Sequence, residues 1–485
     1  MTRREVFRHV PVVAFLTAAM GQLRIHLRAQ RTPPVAGATL WVDGVNGNDN
    51  NTIAQVRAGG GSVAWQTIWR AAWGSTDRAA PNASEAAAAG DVVSIASGTY
   101  ESTVNLGSRS AVLYTPVNQG TAGNPIRFVA NGVVTLVART LNGPIIGSDS
   151  QDYIEWYADV TQGHKWSILN DYVLDGTSAV GTVNIVSDTG SVVLWGANYC
   201  LIEGVEVDGN VGFFGSNYNG VRMESCIGCT VRNNIIHNFH YQNSDADSSC
   251  VHMYGGQDNI VEHNEFYDAN TVVRFKDTGT TISPMQNNHI RYNYIHHWYN
   301  AALGTSLLTE LNEGTNYFYQ NLCINSYSTG FGIMMAGTES NDYWYNNTFY
   351  NVAYGCNPGL GVGARYWNNI WHTVVNNVIF SDGGPGVATT AIDCQHNVYY
   401  NYSGDFYNCT DGVKTFAQWK SSYSGQEATS PISINDDPVF VTAGSNFHLN
   451  QGTSPCLALG RHPISGDTIP AGCYITGSET IGRVT

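Results

Sequence analysis

The sequence predicts an all-β chain that winds into a parallel β-solenoid, and three observations lead to that prediction. Only 13% of the 485 residues are charged, a composition that is not typical of a helical bundle. Residues that favour turns and strands are abundant, with 52 Gly, 27 Tyr and 12 Trp. A short pattern built around Asn also recurs through the middle of the chain. Together these features favour short strands joined by tight turns, repeated coil after coil.

The repeat places one apolar residue three positions before an Asn and another two positions after it, as Val231 and Ile236 flank Asn234. The pattern is centred on Asn234, Asn264, Asn293, Asn321, Asn347, Asn377 and Asn397. Intervals of 20 to 30 residues suit one coil of a solenoid, with coils stacked about 4.8 Å apart. Asn suits this place because it tolerates left-handed backbone at a turn, and its amide can bond the same Asn one coil along.

The rest of the chain fits a single solenoid domain over residues 38–485. The Ala-rich stretch 66–89 predicts a short N-terminal helical cap, which would cover the open edge of the first coil. Residues from about 138 to 190 lack the repeat and predict an insertion beside one face. Residues from about 437 to 485 predict the closing coils.

The first residues predict export from the cytoplasm. Arg3 and Arg4 precede an apolar run from Val10 to Met20 that is too short to span a bilayer as a helix. This arrangement looks like a twin-arginine signal over residues 1–29, followed by a linker over 30–37. We therefore expect a secreted or periplasmic protein. The formal net charge of −15 argues against a nucleic-acid partner.

Motifs at both ends of the chain carry a family resemblance. They are Trp41-Val42-Asp43-Gly44, Gly98-Thr99-Tyr100, Asp437-Pro438-Val439-Phe440 and Phe447-His448-Leu449. On these motifs the chain resembles the pectate-lyase-like right-handed parallel β-helix proteins that bacteria export, over roughly residues 38 to 460. The resemblance implies a single-stranded right-handed parallel β-helix whose ligand lies along one exposed sheet. It does not choose the reaction, because the fold hosts lyases, hydrolases, esterases and adhesins.

The ten cysteines permit disulfides in an exported chain. The close pairs Cys394/Cys409 and Cys456/Cys473 are the first candidates. Cys200 and Cys229 fall at the same position of neighbouring coils, which predicts a buried stack instead of a metal site.

Outward side chains of the strand before each Asn turn predict a functional face. Alternation turns Val221 and Met223 inward and leaves Arg222 and Glu224 outward, and the next two coils follow the same rule. Two rows result, one with Arg222, His252 and Arg274, the other with Trp195, Glu224, Tyr254 and Lys276. Further candidates for contacting a ligand are Asp245 and Asp247 on a loop and Glu310 one coil later.

These residue types suit β-elimination on a uronic-acid polymer, which needs a neutralised carboxylate, a base and an acid. Arg222 or Arg274 can neutralise the carboxylate by bidentate hydrogen bonding. Lys276, crowded by arginine, is favoured in the neutral form that a base requires. His252 and Tyr254 can share the proton transfer, and Trp195 can form a platform for a sugar ring. The resemblance adds calcium as a possible cofactor.

Two alternatives remain open at this point. A glycoside hydrolase would use Glu224 with Asp245 or Asp247, since inverting and retaining enzymes both need two nearby carboxyl groups. A non-catalytic glycan-binding or adhesive β-helix would carry the same rows as a solvated, salt-bridged face. In all three cases the expected partner is an extracellular polysaccharide, and the chain is a monomer or a homotrimer.

Overall fold

The chain folds as a right-handed parallel β-helix, as the sequence predicted. The structure is a computed structural model, and it describes residues 39–102, 112–138, 144–169, 189–209, 218–240, 248–277, 285–307, 314–335, 341–358, 364–380, 393–409, 412–422, 433–462, 467–474 and 480–482. A typical coil contributes three short strands, and strands at equivalent positions of successive coils pair in parallel. Three stacks result, named A, B and C in the order in which the chain visits them.

The strands are given stack by stack. Stack A contains Thr39–Val42, Ile154–Ala158, Leu201–Glu203, Thr230–Arg232, Ile260–Glu262, His289–Arg291, Tyr317–Tyr319, Tyr343–Tyr345, Arg365–Trp367 and Asp393–Gln395, with the first halves of Val92–Ser102 and Ile126–Ala138. Stack B contains the second halves of Val92–Ser102 and Ile126–Ala138 and the first halves of Glu265–Asp277 and Tyr294–Leu307. Its other strands are Lys165–Leu169, Val205–Asp208, Ile235–Phe239, Leu322–Ile324, Thr348–Val352, Ile370–Val374 and Val398–Tyr400. Stack C contains the second halves of Glu265–Asp277 and Tyr294–Leu307. Its other strands are Ile146–Asp149, Thr189–Trp195, Tyr218–Ile227, Ser249–Gln257, Phe331–Met335, Tyr354–Asn357, Ile379–Phe380 and Tyr407–Cys409.

Two short α-helices, Ile53–Gly59 and Ile68–Trp73, form the predicted N-terminal cap. Thr67 begins the second helix, because its hydroxyl accepts a hydrogen bond from the Arg70 amide. Gly74 ends it in the left-handed conformation, with φ at +68°. The second helix buries its apolar side chains against the first coil. The open end of the solenoid is therefore covered by helix and not left as a free strand edge.

The interior of the coils is filled by aliphatic and aromatic side chains that stack from coil to coil. Trp344 lies face to face with Phe318 of the preceding coil, their ring centres 3.9 Å apart. Trp371 stacks in the same way on Tyr399, at 5.3 Å. In-register parallel pairing brings identical positions together, so one apolar position per coil produces a continuous column.

The Asn repeat forms a buried ladder at the turn between stacks A and B. The side-chain amide of Asn264 donates to Asn293 Oδ1 at 3.0 Å, and that of Asn293 donates to Asn321 Oδ1 at 3.0 Å. The ladder runs through Asn234, Asn264, Asn293, Asn321, Asn347, Asn369 and Asn397. The left-handed residue of the turn is the one just before each ladder Asn, for example Tyr292 at φ +56°. The predicted amide bonding is confirmed, while the predicted left-handed Asn is wrong.

One member of the predicted ladder is replaced. Asn369, not Asn377, bonds Asn347 and Asn397 in the ladder. Asn377 instead accepts from the amide of Asp405, and it lies in the turn between a strand of stack B and a strand of stack C. The pattern misled because Val374 and Ile379 imitate the apolar residues that flank each ladder Asn.

Residues 144–169, within the stretch assigned to an insertion, lie in the coils of the solenoid. Strand Ile154–Ala158 pairs with strands of stack A on both sides, and Lys165–Leu169 does the same in stack B. These strands lack the Asn but keep the alternation, with Trp156 and Trp166 buried. Residues 139–143 and 170–188 lie outside the described residues.

The C-terminal segment packs along the outside of stack B. It contains the antiparallel pairs Phe440–Thr442 with Asn446–Leu449 and Gly460–Arg461 with Thr468–Ile469. Helix Phe416–Ser422 precedes this segment and packs Phe416 and Trp419 against Phe406 of the last coil. Phe440, Phe447 and Leu449 bury the outward side chains of Leu322 and Ile370. The segment predicted as closing coils therefore shields an apolar strip on the outer surface of stack B, and its described strands pair antiparallel instead of forming a parallel coil.

All ten cysteines are buried thiols, and none forms a disulfide. The predicted Cys394/Cys409 pair is wrong, because both residues are free thiols. The Cys456/Cys473 pair is wrong as well. The predicted stack is confirmed, since the Cys200 amide lies 3.4 Å from Cys229 Sγ. Burial raises the pKa of both of these thiols. Within the described ranges, no helix has the length and apolarity needed to cross a bilayer.

Candidate functional site

Four consecutive strands of stack C bring the two predicted rows together. The parallel register aligns Arg222 with His252 and His252 with Arg274. In the neighbouring row it aligns Trp195, Glu224, Tyr254 and Lys276. The arrangement of the rows is therefore confirmed, because strand alternation and coil register both follow from the inward apolar residues.

The alternation holds on the inner side of the same strands. Val221 and Met223 are fully buried, as are the equivalent residues of the next two coils, Val251, Met253, Val273 and Phe275. A shift of one residue would turn charged side chains into the core, so these apolar residues fix which side chains face outward.

Members of the rows differ in exposure although all of them lie on the outer side. Arg222, Glu224 and Tyr254 are 4–6% exposed, and His252 is completely buried. Trp195, Arg274 and Lys276 are only half-buried. The half-buried residues are therefore the most accessible members of the rows, and the completely buried His252 is the least accessible.

Arg222 and Glu224 form a buried ion pair within one strand. Arg222 Nε donates to Glu224 Oε1, and Arg222 Nη1 lies 3.5 Å from Asn219 Oδ1. A buried pair of this kind holds both side chains in place, since losing either partner leaves a buried charge.

Tyr254 lies at the centre of the rows. The His252 ring stacks on it with centroids 4.3 Å apart. The Arg222 guanidinium lies 4.3 Å from the centre of the Tyr254 ring, and Lys276 Nζ lies 5.9 Å from it. Cations at these distances are attracted by the negative ring face. The phenol is thus oriented by three side chains from three adjacent coils.

Several predicted site residues cannot be placed. Asp245, Asp247 and Glu310 lie outside the described residues. Among the residues that are described, no group of three or more His, Cys, Asp or Glu side chains is arranged to hold a metal ion.

His237 and His240 lie outside the strands that carry the two rows. His237 is on the outer side of stack B, where its ring stacks on Tyr267 at 4.5 Å. His240 stacks on Tyr299 at 4.7 Å, and burial lowers its pKa. Neither ring contacts the two rows.

Comparisons with known proteins find solved structures of low similarity. No family model and no curated protein matches the chain. The solved pectate lyase Pel9A is 14% identical over 91% of this chain and 96% of its own, with a TM-score of 0.45. A family 6 polysaccharide lyase from Pseudopedobacter saltans is 15% identical over 81% and 98%, with a TM-score of 0.41. A lacto-N-biosidase from Eubacterium ramulus is 12% identical over 79% and 66%, with a TM-score of 0.38.

The chain has a pectate-lyase-like β-helix fold. Its parallel coils and their three stacks define that fold. Within this β-helix, sequence reasoning missed Asn219, which supports Arg222 from the start of the same strand. A usable signal was present, because Asn219, Ser249 and Thr271 occupy the same register position in three successive coils. The Asn219 amide donates to Ser249 Oγ at 2.9 Å.

Proposed function

We propose that this β-helix is an exported polysaccharide lyase that cleaves a uronic-acid-containing glycan by β-elimination. The observation that supports it most directly is the group around Tyr254, where Arg222 and Lys276 approach the phenol ring. Arg274 adds a third cation to the same face. A cationic face with a phenol at its centre suits a carboxylate-bearing sugar and a proton transfer beside it. Export rests on the twin-arginine-like N-terminus of the sequence.

The exposures of the side chains support the following roles. Arg274, half-buried, neutralises the uronate carboxylate by bidentate hydrogen bonding. Lys276, next to it on the same strand, removes the proton beside that carboxylate. Tyr254 donates a proton to the leaving glycosidic oxygen. Charge is balanced because the electrons of the broken C–H bond form the new double bond as the C–O bond breaks.

The remaining residues support this group. His252 is completely buried, so it is a positioning residue for Tyr254 and does not itself contact the sugar. Arg222, held by Glu224, orients the opposite side of the phenol. Trp195 is a half-buried aromatic at the end of its row and forms the platform for a neighbouring sugar ring.

The hydrolase alternative is less favoured by this geometry. Glu224, its proposed catalytic acid, is 5% exposed and already accepts a hydrogen bond from Arg222. A hydrolase needs two carboxyl groups that reach the same glycosidic bond. Glu224 is engaged within the protein and is better suited to positioning Arg222.

A substrate panel tests the proposal. The purified protein is incubated with alginate, pectate, glycosaminoglycans and neutral glycans, with and without Ca²⁺. Absorbance of unsaturated uronates and new reducing ends are followed in parallel. We expect both signals to rise together on one uronate polymer and both to disappear in Lys276→Ala. Tyr254→Phe should slow turnover strongly while the protein still binds the polymer.

Two outcomes would overturn the proposal. Reducing ends that form without absorbance would show hydrolysis. Binding of a polymer without either signal, over the full range of pH and Ca²⁺, would show a non-catalytic glycan-binding β-helix.

A further inference from the structure

A second concave surface lies on stack B, between the coils and the C-terminal segment. Its volume is about 390 Å³. Tyr294, Leu322 and Ile324 of the coils form its floor, while Asn446, His448 and Tyr474 of the C-terminal segment are among the residues of its wall. None of these residues belongs to the two rows on stack C, so this cleft is a separate place on the molecule.

The walls of the cleft combine aromatic rings with neutral polar groups. The rings of His448 and Tyr474 stack with centroids 4.0 Å apart. His448 Nδ1 lies 2.8 Å from Asn446 Oδ1, which fixes the imidazole against the amide. Ser445 and Asn446 are exposed at the rim. Ligand sites commonly have this composition, an apolar and aromatic surface with a few polar groups that set orientation.

Charge separates this cleft from the face on stack C. None of the described residues that line the cleft is Lys, Arg, Asp or Glu. Burial, and then the charge of the Glu265 carboxylate, raise the pKa of Tyr294 at the floor of the cleft. Glu265 also lies 3.4 Å from His296, whose ring contacts that of Tyr294. A negatively charged sugar would be repelled here, whereas a neutral sugar would not.

Backbone conformation and packing fix the wall of the cleft. Gly444, in the turn between strands Phe440–Thr442 and Asn446–Leu449, has φ at +88°, a conformation that favours glycine. The Gly482 amide donates to the Tyr292 carbonyl at 2.7 Å and ties the end of the segment to the coil beside the floor. Phe447 anchors the hairpin, packing edge to face on Tyr350 at 5.1 Å. The wall is therefore fixed on both sides of the opening.

We propose that this cleft is an accessory binding site for a short stretch of neutral glycan. Its volume falls within the range of about 300–1,000 Å³ that is usual for small-ligand sites. Its aromatic rings pack against the apolar faces of sugar rings, and Asn446, Ser445 and His448 bond their hydroxyls. The site goes beyond the proposed lyase activity, because it would hold the protein on neutral polymers that accompany the substrate.

Binding of defined oligosaccharides tests the site without any turnover. The probes are cellohexaose, xylohexaose and mannohexaose as neutral glycans, and trigalacturonate and trimannuronate as charged ones. Calorimetry or ligand-observed NMR on the full chain gives each affinity. We expect at least one neutral probe to bind, and Ser445→Trp to weaken it at least 10-fold by filling the cleft. Tyr474→Ala should weaken the same probe by removing a ring.

Val441→Trp is the matched control, because Val441 is 53% exposed on the same hairpin but does not line the cleft. It should bind the neutral probe like the wild type, and thermal melting should show that all variants are folded. The proposal is overturned if no neutral probe binds at millimolar concentration, or if Ser445→Trp and Tyr474→Ala bind like the wild type. Failure of the lyase assay does not affect this result, because Lys276→Ala should retain neutral-glycan binding.

Discussion

Stacks A and C both carry charged side chains on their outer faces, but they balance the charges differently. On stack A, Glu203, Arg232, Glu262 and Arg291 follow one another in a single row and alternate in sign. Glu203 pairs with Arg232 at 2.9 Å and Glu262 pairs with Arg291 at 2.7 Å. The rows on stack C hold Arg222, Arg274 and Lys276 against one carboxylate, that of Glu224.

The difference separates a stabilising surface from a candidate site. Charges that alternate between coils neutralise one another inside the protein and leave little attraction for a charged ligand. An excess of cations over three coils creates a local positive potential in a chain whose formal net charge is −15. Outward charges are expected on any soluble solenoid, so the balance of charge along a row is more informative than the presence of charge.

The largest expected effect is on activity, and it tests the stack C side of the comparison. Lys276→Ala should reduce kcat for eliminative cleavage by about 10²–10⁴-fold, the usual contribution of a general base. Arg365→Ala is the matched control, because Arg365 lies over the Tyr343 ring at 4.6 Å on stack A, as Lys276 lies over Tyr254. The control should keep wild-type turnover. Equal activity in both variants would mean that Lys276 is only part of a solvated face.

The next largest expected effect is on stability, and it tests the charge-balanced row on stack A. Arg291→Ala should lower the free energy of unfolding by about 3–5 kcal/mol, because it leaves the buried Glu262 carboxylate without its ion pair. Lys165→Ala breaks a pair with Glu206 whose side chains are 34% and 30% exposed, and should cost less than about 1 kcal/mol. Urea denaturation measures both. Similar losses of unfolding free energy in Arg291→Ala and Lys165→Ala would contradict the stabilising role of the buried row on stack A.

A third prediction concerns the Asn ladder, which lies away from stack C. Asn293→Ala removes hydrogen bonds to Asn264, Asn321 and the Val261 carbonyl, leaving buried polar groups unsatisfied. At about 1–3 kcal/mol per buried group, a total loss of about 3 kcal/mol is expected. Asn377→Ala, outside the ladder, should cost less than about 1 kcal/mol. Urea titrations that rank the two variants the other way would contradict the ladder assignment.

Sequence was sufficient for the features that follow from repetition. The rows containing His252 and Tyr254 could be predicted because period-two alternation and the inward Val and Met residues leave one register. Asn369 was missed because its coil is short, 22 residues after Asn347, while Asn377 has similar apolar flanks. Local pattern identifies a repeat but does not fix its boundary when coil lengths vary.

What sequence could not predict depends on side-chain conformation and on distant segments. Arg222 lies one coil from Tyr254 and two residues from Glu224 on the same strand. Only side-chain packing decides that Arg222 bonds Glu224. The cleft beside Tyr294 is formed by a segment 150 residues later that folds back along the outer surface. No periodicity within the coils signals such a return.

The smallest predicted effect is a pH dependence of stability on stack A. Burial, and then the Arg291 charge, lower the pKa of His289 from 6.5 to about 4. The folded state therefore binds fewer protons than the unfolded state between those values, so His289 contributes stability that is complete above pH 6.5 and lost as pH falls toward 4. At 1.36 kcal/mol per pKa unit, and allowing for partial exposure, this loss is about 2 kcal/mol.

His289→Gln should remove that part of the acid destabilisation, because the amide cannot become a cation beside Arg291. Urea unfolding at pH 7 and pH 4 gives the difference for each protein, and carboxylates contribute equally to both, so the comparison isolates the imidazole. The variant should lose about 2 kcal/mol less than the wild type between the two pH values. An identical loss would show that stack A tolerates an added positive charge, and charge balance would then no longer distinguish it from the cationic rows of stack C.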